Sequence, residues 1–398
     1  MILEAVQRAG AISRSQLVGL TRLTPATITN AVRELLDLHL LAETGRHAPR
    51  PESRAGAPSF LLTLDDSRYR VLALHQGVSL LRLGVVDIAG QVLATSVLHT
   101  ISEEAPRRTV ARIAKGLRAL SARTELTEGQ VLGLGVGAVG LVEPESGNVH
   151  AAPNLGWTDV PLGRWLAEEL GIPVVVRNNV HGMAAGELRF TGIPERHALY
   201  VYVGYGIGAG IVVDGRVLDG AHGAAGELGH LVVPGGGACT CGKVGCVETV
   251  AAERAIVRRA AAIVGTPEAL PGTKEAVERL VRLAVAGDSG ARSVLAEVAE
   301  ALGQAVAQAV EVVDPRVVIL GGTITEAGDL VLTPLAEALH RTAFSVRGRR
   351  VEVRVAARQQ QAGLVGAATL ALDELLYNPD SMLFADRPPL AGEGRRWR

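Results

Sequence analysis

Three cysteines, Cys239, Cys241 and Cys246, fall in the single run Cys-Thr-Cys-Gly-Lys-Val-Gly-Cys. Thiolates at this spacing can wrap one small soft cation, with glycines allowing the tight turns, and a structural site of this kind wants four ligands in a tetrahedron. His230, upstream of Cys239, is the nearest candidate for the fourth, which gives a Cys3His site and Zn2+ as a structural cofactor. A filled set of four ligands leaves no open position for a reacting water. Three inert buried cysteines are the alternative, but inertness does not predict their confinement to one short run. Two carboxylates flank the run: Glu227 in Ala225-Gly226-Glu227-Leu228-Gly229-His230, and Glu248 just after Cys246. A metal loop would hold Glu248 and His230 close together. Two carboxylates beside an imidazole can accept the hydroxyl hydrogens of a sugar, although either carboxylate alone is more often a solvated surface charge.

The rest of the chain must position these groups. Its 398 residues are enough for two to three domains. With 48% hydrophobic and 20% charged residues, it can bury a large core and is not disordered throughout. A net charge of −1 excludes a uniformly basic protein, so any nucleic-acid surface must be local. Clustered cysteines argue against a disulfide framework and for a reducing compartment. The start Met1-Ile2-Leu3-Glu4 lacks a basic leader, and the uncharged stretch Ala198–Val213 is too short for a membrane helix. These features point to a cytoplasmic protein with no membrane partner.

Residues 1–64 read as a unit of their own. Leu3 and Val6 have helical spacing, Ser13 caps a second helix over 14–20, and Thr24-Pro25 starts a third. In that third helix Ile28, Val32, Leu35 and Leu36 form one stripe, while Ala26, Thr27, Asn30 and Arg33 lie opposite. Leu40-Leu41 and Phe60-Leu61-Leu62 are expected as two short strands around a polar loop carrying Arg46, Arg50 and Arg54. Three helices and a two-stranded wing make a winged helix-turn-helix, with Thr24 to Leu38 as recognition helix and the wing arginines reaching phosphates or the minor groove. A small packing module without nucleic acid is the competing interpretation, since seven Arg against five acids leave only a slight positive excess there.

Beyond Tyr69 hairpins give way to strand–helix alternation, which predicts two α/β lobes with a cleft between them. The expected strands include Val71–Leu74, Leu80–Val86, Val131–Val136, Val174–Val176, Leu199–Val203, Ile211–Val213 and Val317–Leu320. The expected helices include Arg107–Arg123, Leu162–Leu170, Val180–Phe190, Thr249–Val264 and Arg292–Val313. The division is 69–185 for the first lobe, completed by a C-terminal helix over 362–376, 186–361 for the second with the metal loop, and a loosely ordered tail over 379–398.

The segment Ala225-Gly226-Glu227-x-Gly229-His230 followed by Cys-x-Cys-Gly-x-x-Gly-Cys-x-Glu ending at Glu248 resembles the signature of the ROK family (repressor, open reading frame, kinase). Ala152-Pro153-Asn154-Leu155 is similar to the family's sugar-contacting segment, Gly204-Tyr205-Gly206-Ile207-Gly208 to its second phosphate segment, and Ile319-Leu320-Gly321-Gly322 to its adenosine segment. The resemblance implies an actin/hexokinase-like two-lobed fold and a sugar site of Asn154, Asn178, Asn179, Glu227, His230 and Glu248.

Two parts that a family kinase requires are altered. Where its phosphate loop carries an Asp for magnesium, this chain has His75-Gln76-Gly77-Val78-Ser79. Where an Asn-Asp pair supplies the general base, it has Asn178-Asn179, and an amide cannot take that proton. Tyr205 stands where the kinases usually have Thr. The N-terminal segment is similar to the helix-turn-helix of the family's repressors, which its plain kinases lack. The expectation is therefore a sugar-responsive repressor, not an enzyme, that binds a roughly palindromic double-stranded operator as a homodimer or higher homo-oligomer. An ATP-dependent sugar kinase with an added domain is the alternative; a DNA-binding protein with a vestigial sugar cleft is a third.

Overall fold

The computed structural model describes residues 1–47, 60–192, 195–264, 273–346 and 350–378. Helices Ile2–Ala9, Arg14–Thr21 and Pro25–Asp37 open the chain. Ser13 does two jobs. Its hydroxyl accepts from the Gln16 N–H while the Gln16 side chain accepts from the Ser13 N–H, a reciprocal cap that starts the second helix. Its backbone, with Ile12, also adds a strand to the wing, pairing with Phe60–Leu64, which pairs in turn with Leu41–His47. The wing therefore has three strands, where alternation of apolar residues disclosed two; a two-residue strand carries no period to read. Thr24 caps the third helix by accepting from the Thr27 N–H, with Pro25 at its first position. Ile28, Val32 and Leu35 are buried. Arg50 and Arg54 of the expected wing lie outside the described residues, and Arg46 is placed only as part of the strand Leu41–His47.

Two five-stranded sheets follow, each backed by helices. The first runs in the spatial order Val174–Asn178, Val131–Ala138, Arg70–Gln76, Leu80–Asp87, Val92–His99, parallel on one side and hairpin-linked on the other. The second repeats that plan as Arg216–Val217, Ile207–Val213, Ala198–Val203, Val317–Gly321, Glu352–Val355. Two helices, Asn179–Phe190 and Ala362–Leu372, pack on each other between the sheets. Their contact depends on glycine: a Cβ on Gly182 or Gly186 would come within 3.2 Å of the Gly366 backbone.

The helix expected over Thr249–Val264 is broken into Glu248–Ala251, Glu253–Arg259 and Ala261–Val264. Ala252 is extended (φ −70, ψ 153), which lets the Glu253 N–H donate to the Gly204 carbonyl rather than continue a helical ladder. An alanine-rich run gives no local sign of such a break. The winged helix is not a separate bead. Leu3, Val6, Val32 and Leu62 share one continuous apolar cluster with Val71 and Val86 of the first sheet and with Leu364, Ala368 and Leu372 of the C-terminal helix. The architecture is a winged helix-turn-helix followed by a two-lobed, actin/hexokinase-like α/β domain.

Candidate functional site

Val232 and Val247 flank the cysteine loop, where a bridge between Val232 and Cys246 closes its base. Within it His230, Cys239, Cys241 and Cys246 bring their ligand atoms within 4.8 Å of one another. His230 Nδ1 lies 3.7 Å from Cys239 Sγ, and the Cys241 and Cys246 sulfurs are 3.6 Å apart. Sulfurs at tetrahedral corners about 2.3 Å from an ion stand about 3.8 Å apart, so the cluster has the spacing of a metal cage and not of a disulfide. Burial pushes the Cys246 thiol up, a cost that a bound cation would offset. Gly245, at φ +102 and with no room for a Cβ beside Val232, permits the turn that brings Cys246 inward.

The cysteine loop brings both carboxylates to one place. His230 turns its other nitrogen, Nε2, toward Glu227 at 3.9 Å. Burial raises the Glu227 carboxyl, His230 and His181 oppose that rise, and the neighbouring charge of Glu248 adds to it. Glu248 is buried, accepts from the Ile207 N–H at 3.4 Å and pairs with Arg254, which also lies over the Tyr205 ring. Sequence reasoning missed Arg254, because nothing marks one arginine in a helix as the partner of a particular carboxylate.

The loop from Asp219 to Glu227 crosses from the second lobe to the first. Gly223, at φ +67, passes so close to the Val142 carbonyl that no side chain fits. Asn178 lies on the first-lobe side of this crossing. Its amide oxygen accepts from the Val180 and His181 N–H groups and its amide donates to the Gly140 carbonyl, so the side chain caps a helix. Asn179 begins that helix, half-buried against Gly137. Asn154 is exposed on the turn Pro153–Leu155, at the end of the strand whose Ala151 carbonyl packs on Gly140. His181, also missed, is buried between the Asp219 carboxylate at 3.1 Å and the Ala225 carbonyl at 2.8 Å. Each ring nitrogen thus faces an oxygen, one from a side chain and one from the backbone.

The segments similar to phosphate and adenosine loops are occupied differently. The Tyr202 ring lies against Gly204 and Gly321, one glycine from each segment, so that a Cβ on either would meet it. Glu253 accepts from the Thr323 and Thr273 hydroxyls, and its carboxyl is raised by burial. His75 is buried, with Nδ1 unpartnered, and burial together with Arg82 lowers it to about 4. A buried imidazole offers none of the anionic oxygens that hold magnesium. It also leaves a signature in stability. The unfolded chain binds a proton at His75 near pH 6.5 and the folded chain only near 4, so its contribution is complete above 6.5 and is lost as pH falls toward 4. We expect about 3 kcal/mol of acid destabilisation from this group. Urea unfolding of wild type and His75→Asn at pH 7 and pH 4.5 checks it: the variant should lose less stability on acidification, and parallel losses would contradict the assignment.

On helix Pro25–Asp37 the expected DNA-contacting residues Ala26, Thr27, Asn30 and Arg33 are all exposed, opposite the buried stripe. Among the described residues no helix is long and apolar enough to cross a membrane.

Comparison with known proteins agrees with this geometry. The ROK family model matches residues 71–374. A putative xylose repressor of Caldicellulosiruptor sp. (strain Rt8B.4) is 30% identical over 388 residues, covering 96% of each chain. A glucokinase of Halalkalibacterium halodurans is 32% identical over 304 residues, covering 74% of this chain and 92% of its own. Among solved structures, a ROK family transcriptional regulator described as a homologue of the E. coli MLC protein superposes with a TM-score of 0.75 at 28% identity, covering 90% of this chain and 91% of that one. The kinase match leaves out about a quarter of this chain, whereas the repressor match runs nearly end to end. With most of its length matched by the family model and both lobes in place around the cysteine loop, the chain belongs to the ROK family.

Proposed function

We propose that the protein is a sugar-responsive transcriptional repressor that senses its effector with a catalytically inactive sugar-kinase-like domain. One observation carries this: a winged helix with an exposed outer face is fused, in one chain, to a ROK domain that has His75 where the kinases carry the magnesium Asp and Asn179 where they carry the general base. The end-to-end likeness to a putative xylose repressor supports it. In this reading Ala26, Thr27, Asn30 and Arg33, with Arg46, Arg50 and Arg54 of the wing, contact a roughly palindromic operator as part of a cytoplasmic homodimer or larger homo-oligomer. Asn154, Asn179, Glu227, His230 and Glu248 contact the sugar. Asn178 contributes by fixing the helix that presents Asn179. A structural Zn2+ held by His230, Cys239, Cys241 and Cys246 would hold the His230 ring and Glu248 in place.

The test is direct. The purified protein, with DNA fragments from beside its own gene and D-xylose, D-glucose or N-acetyl-D-glucosamine, should show sequence-specific binding that one of these sugars alters. The same preparation with Mg-ATP and each sugar should show no turnover above background, since loss of general-base help alone costs typically 10²–10⁴-fold. The glucokinase likeness supports the other reading, an ATP-dependent sugar kinase with an added domain. Steady phosphoryl transfer to one sugar would replace the first reading with it.

A further inference from the structure

Resting on that reading, we propose that helix Asn179–Phe190 carries the effector signal, and that Arg189, by bridging Gln7 of the first winged-helix element to Asp373, is its output contact onto the DNA-binding domain. The helix has one end in each place. At its start Asn178 caps it, Asn179 opens it, and His181 grips Asp219 and Ala225 on the loop that leads into Glu227. Ordering that loop around a sugar therefore acts on this helix. Near its far end Arg189 donates from Nη1 to the Gln7 side-chain oxygen at 3.0 Å, pairs through Nη2 with Asp373, and stacks on the Tyr377 ring 4.1 Å from its centroid. Asp373 and Tyr377 both belong to the π-turn Asp373–Tyr377 that follows the C-terminal helix, a local widening often found where a helix serves a function.

Two features mark the junction as able to exist in more than one arrangement. Gln7 Nε2, Arg189 Nε and the Tyr377 hydroxyl are buried there without partners, so the hydrogen bonding is incomplete as it stands. A cavity of about 830 Å³ lies alongside, lined by Glu4, Gln7, Arg8, Arg189, Asp373 and Tyr377 among others, which leaves room for the side chains to re-pair. Beside this junction the winged helix rests on an apolar core shared with the first lobe and the C-terminal helix, against which Phe190 and Tyr377 also pack. Movement of the helix against Gly366, where glycines leave a smooth backbone contact, shifts Arg189 relative to Gln7 and carries Phe190 along the edge of that core.

Gln7→Ala removes only the output contact and keeps the Arg189–Asp373 pair. Arg189→Lys keeps a charge for Asp373 but cannot reach both partners. Operator affinity is measured with and without whichever of D-xylose, D-glucose or N-acetyl-D-glucosamine the wild type binds by calorimetry. Hydrogen exchange of Ile2–Ala9 is followed in parallel. In wild type the sugar should change operator affinity about 5–150-fold and alter exchange in that helix. Both variants should bind that sugar and the free operator within about twofold of wild type, while the sugar effect on each readout shrinks toward none. An undiminished sugar effect in both variants overturns the proposal and leaves the repressor reading intact. A wild type that binds no operator, or whose operator binding no sugar alters, overturns both together.

Discussion

Protein stripped of metal with a chelator at neutral pH should melt on the order of 10 °C lower and lose its sugar affinity, and both should return on adding one equivalent of zinc. The size follows from the site. Three thiolates and an imidazole, of which Cys239 and Cys246 are buried, have their ligand atoms gathered within 4.8 Å. Without a cation the cage brings together groups whose charged forms repel one another and are costly to bury. Structural zinc contributes some 10–16 kcal/mol of apparent free energy in isolated finger peptides. Here the surrounding second lobe already has a large core of its own, so only several kcal/mol should show, at roughly 2–4 °C per kcal/mol. The thiols should not be equivalent. Cys246→Ser strikes a fully buried position next to Val247 and Glu248 and should cost most, whereas Cys241→Ser strikes an exposed corner and should cost least. Elemental analysis of wild type showing no stoichiometric zinc, or a melting curve indifferent to chelator, would falsify the assignment.

The Cys3His cluster was legible in the sequence because such a cluster is local: four candidate ligands within seventeen residues declare themselves by type and spacing. Helix Pro25–Asp37 was legible for a similar reason, with Thr24-Pro25 marking its start and one apolar stripe marking its inner face. What remained hidden depends on chain segments far apart. Arg254 against Glu248 turns on the break at Ala252, where alanines on either side read as one continuous helix. His181 against Asp219 and Ala225 joins a helix to a loop about forty residues on. The role of Asn178 was read from likeness as sugar contact, yet its side chain is engaged with the backbone at the start of a helix, a use that any strand-to-helix junction could make of an asparagine. The apolar seam that fuses the winged helix to the first lobe also escaped. Leu3 and Val6 look the same in sequence whether they face their own domain or its neighbour.

Saturating the sugar site should weaken operator binding by about 5–150-fold, a coupling of about 1–3 kcal/mol, and Glu248→Gln should remove most of that response at moderate sugar concentrations. Direct electrostatics does not provide the coupling. The twelve-residue helix Asn179–Phe190 alone spans about 18 Å, more than twice the screening length of about 8 Å at physiological salt. The available free energy is the difference in sugar affinity between open and closed lobes. Because the winged helix shares its core with the first lobe, closure of the second lobe would, in the proposed homo-oligomer, change how two DNA-binding units are spaced. Operator half-sites a helical turn apart tolerate little such change, which makes release the expected direction. Glutamine suits this test better than alanine. Glu248 is paired with Arg254 and accepts from Ile207, so truncation would leave a half-buried guanidinium without its partner, whereas the amide keeps the shape and an acceptor. Loss of a charged acceptor should weaken sugar binding by about 1.5–3 kcal/mol, roughly 10- to 150-fold, while effector-free operator affinity stays within about twofold of wild type. Linkage adds a check that needs no variant: operator DNA must weaken sugar binding by the same factor by which sugar weakens operator binding. Calorimetric titration of sugar into free and operator-bound protein measures that factor. Equal sugar affinities in the two titrations would end the coupling, and tighter binding to the DNA-bound form would keep the mechanism and reverse its sign.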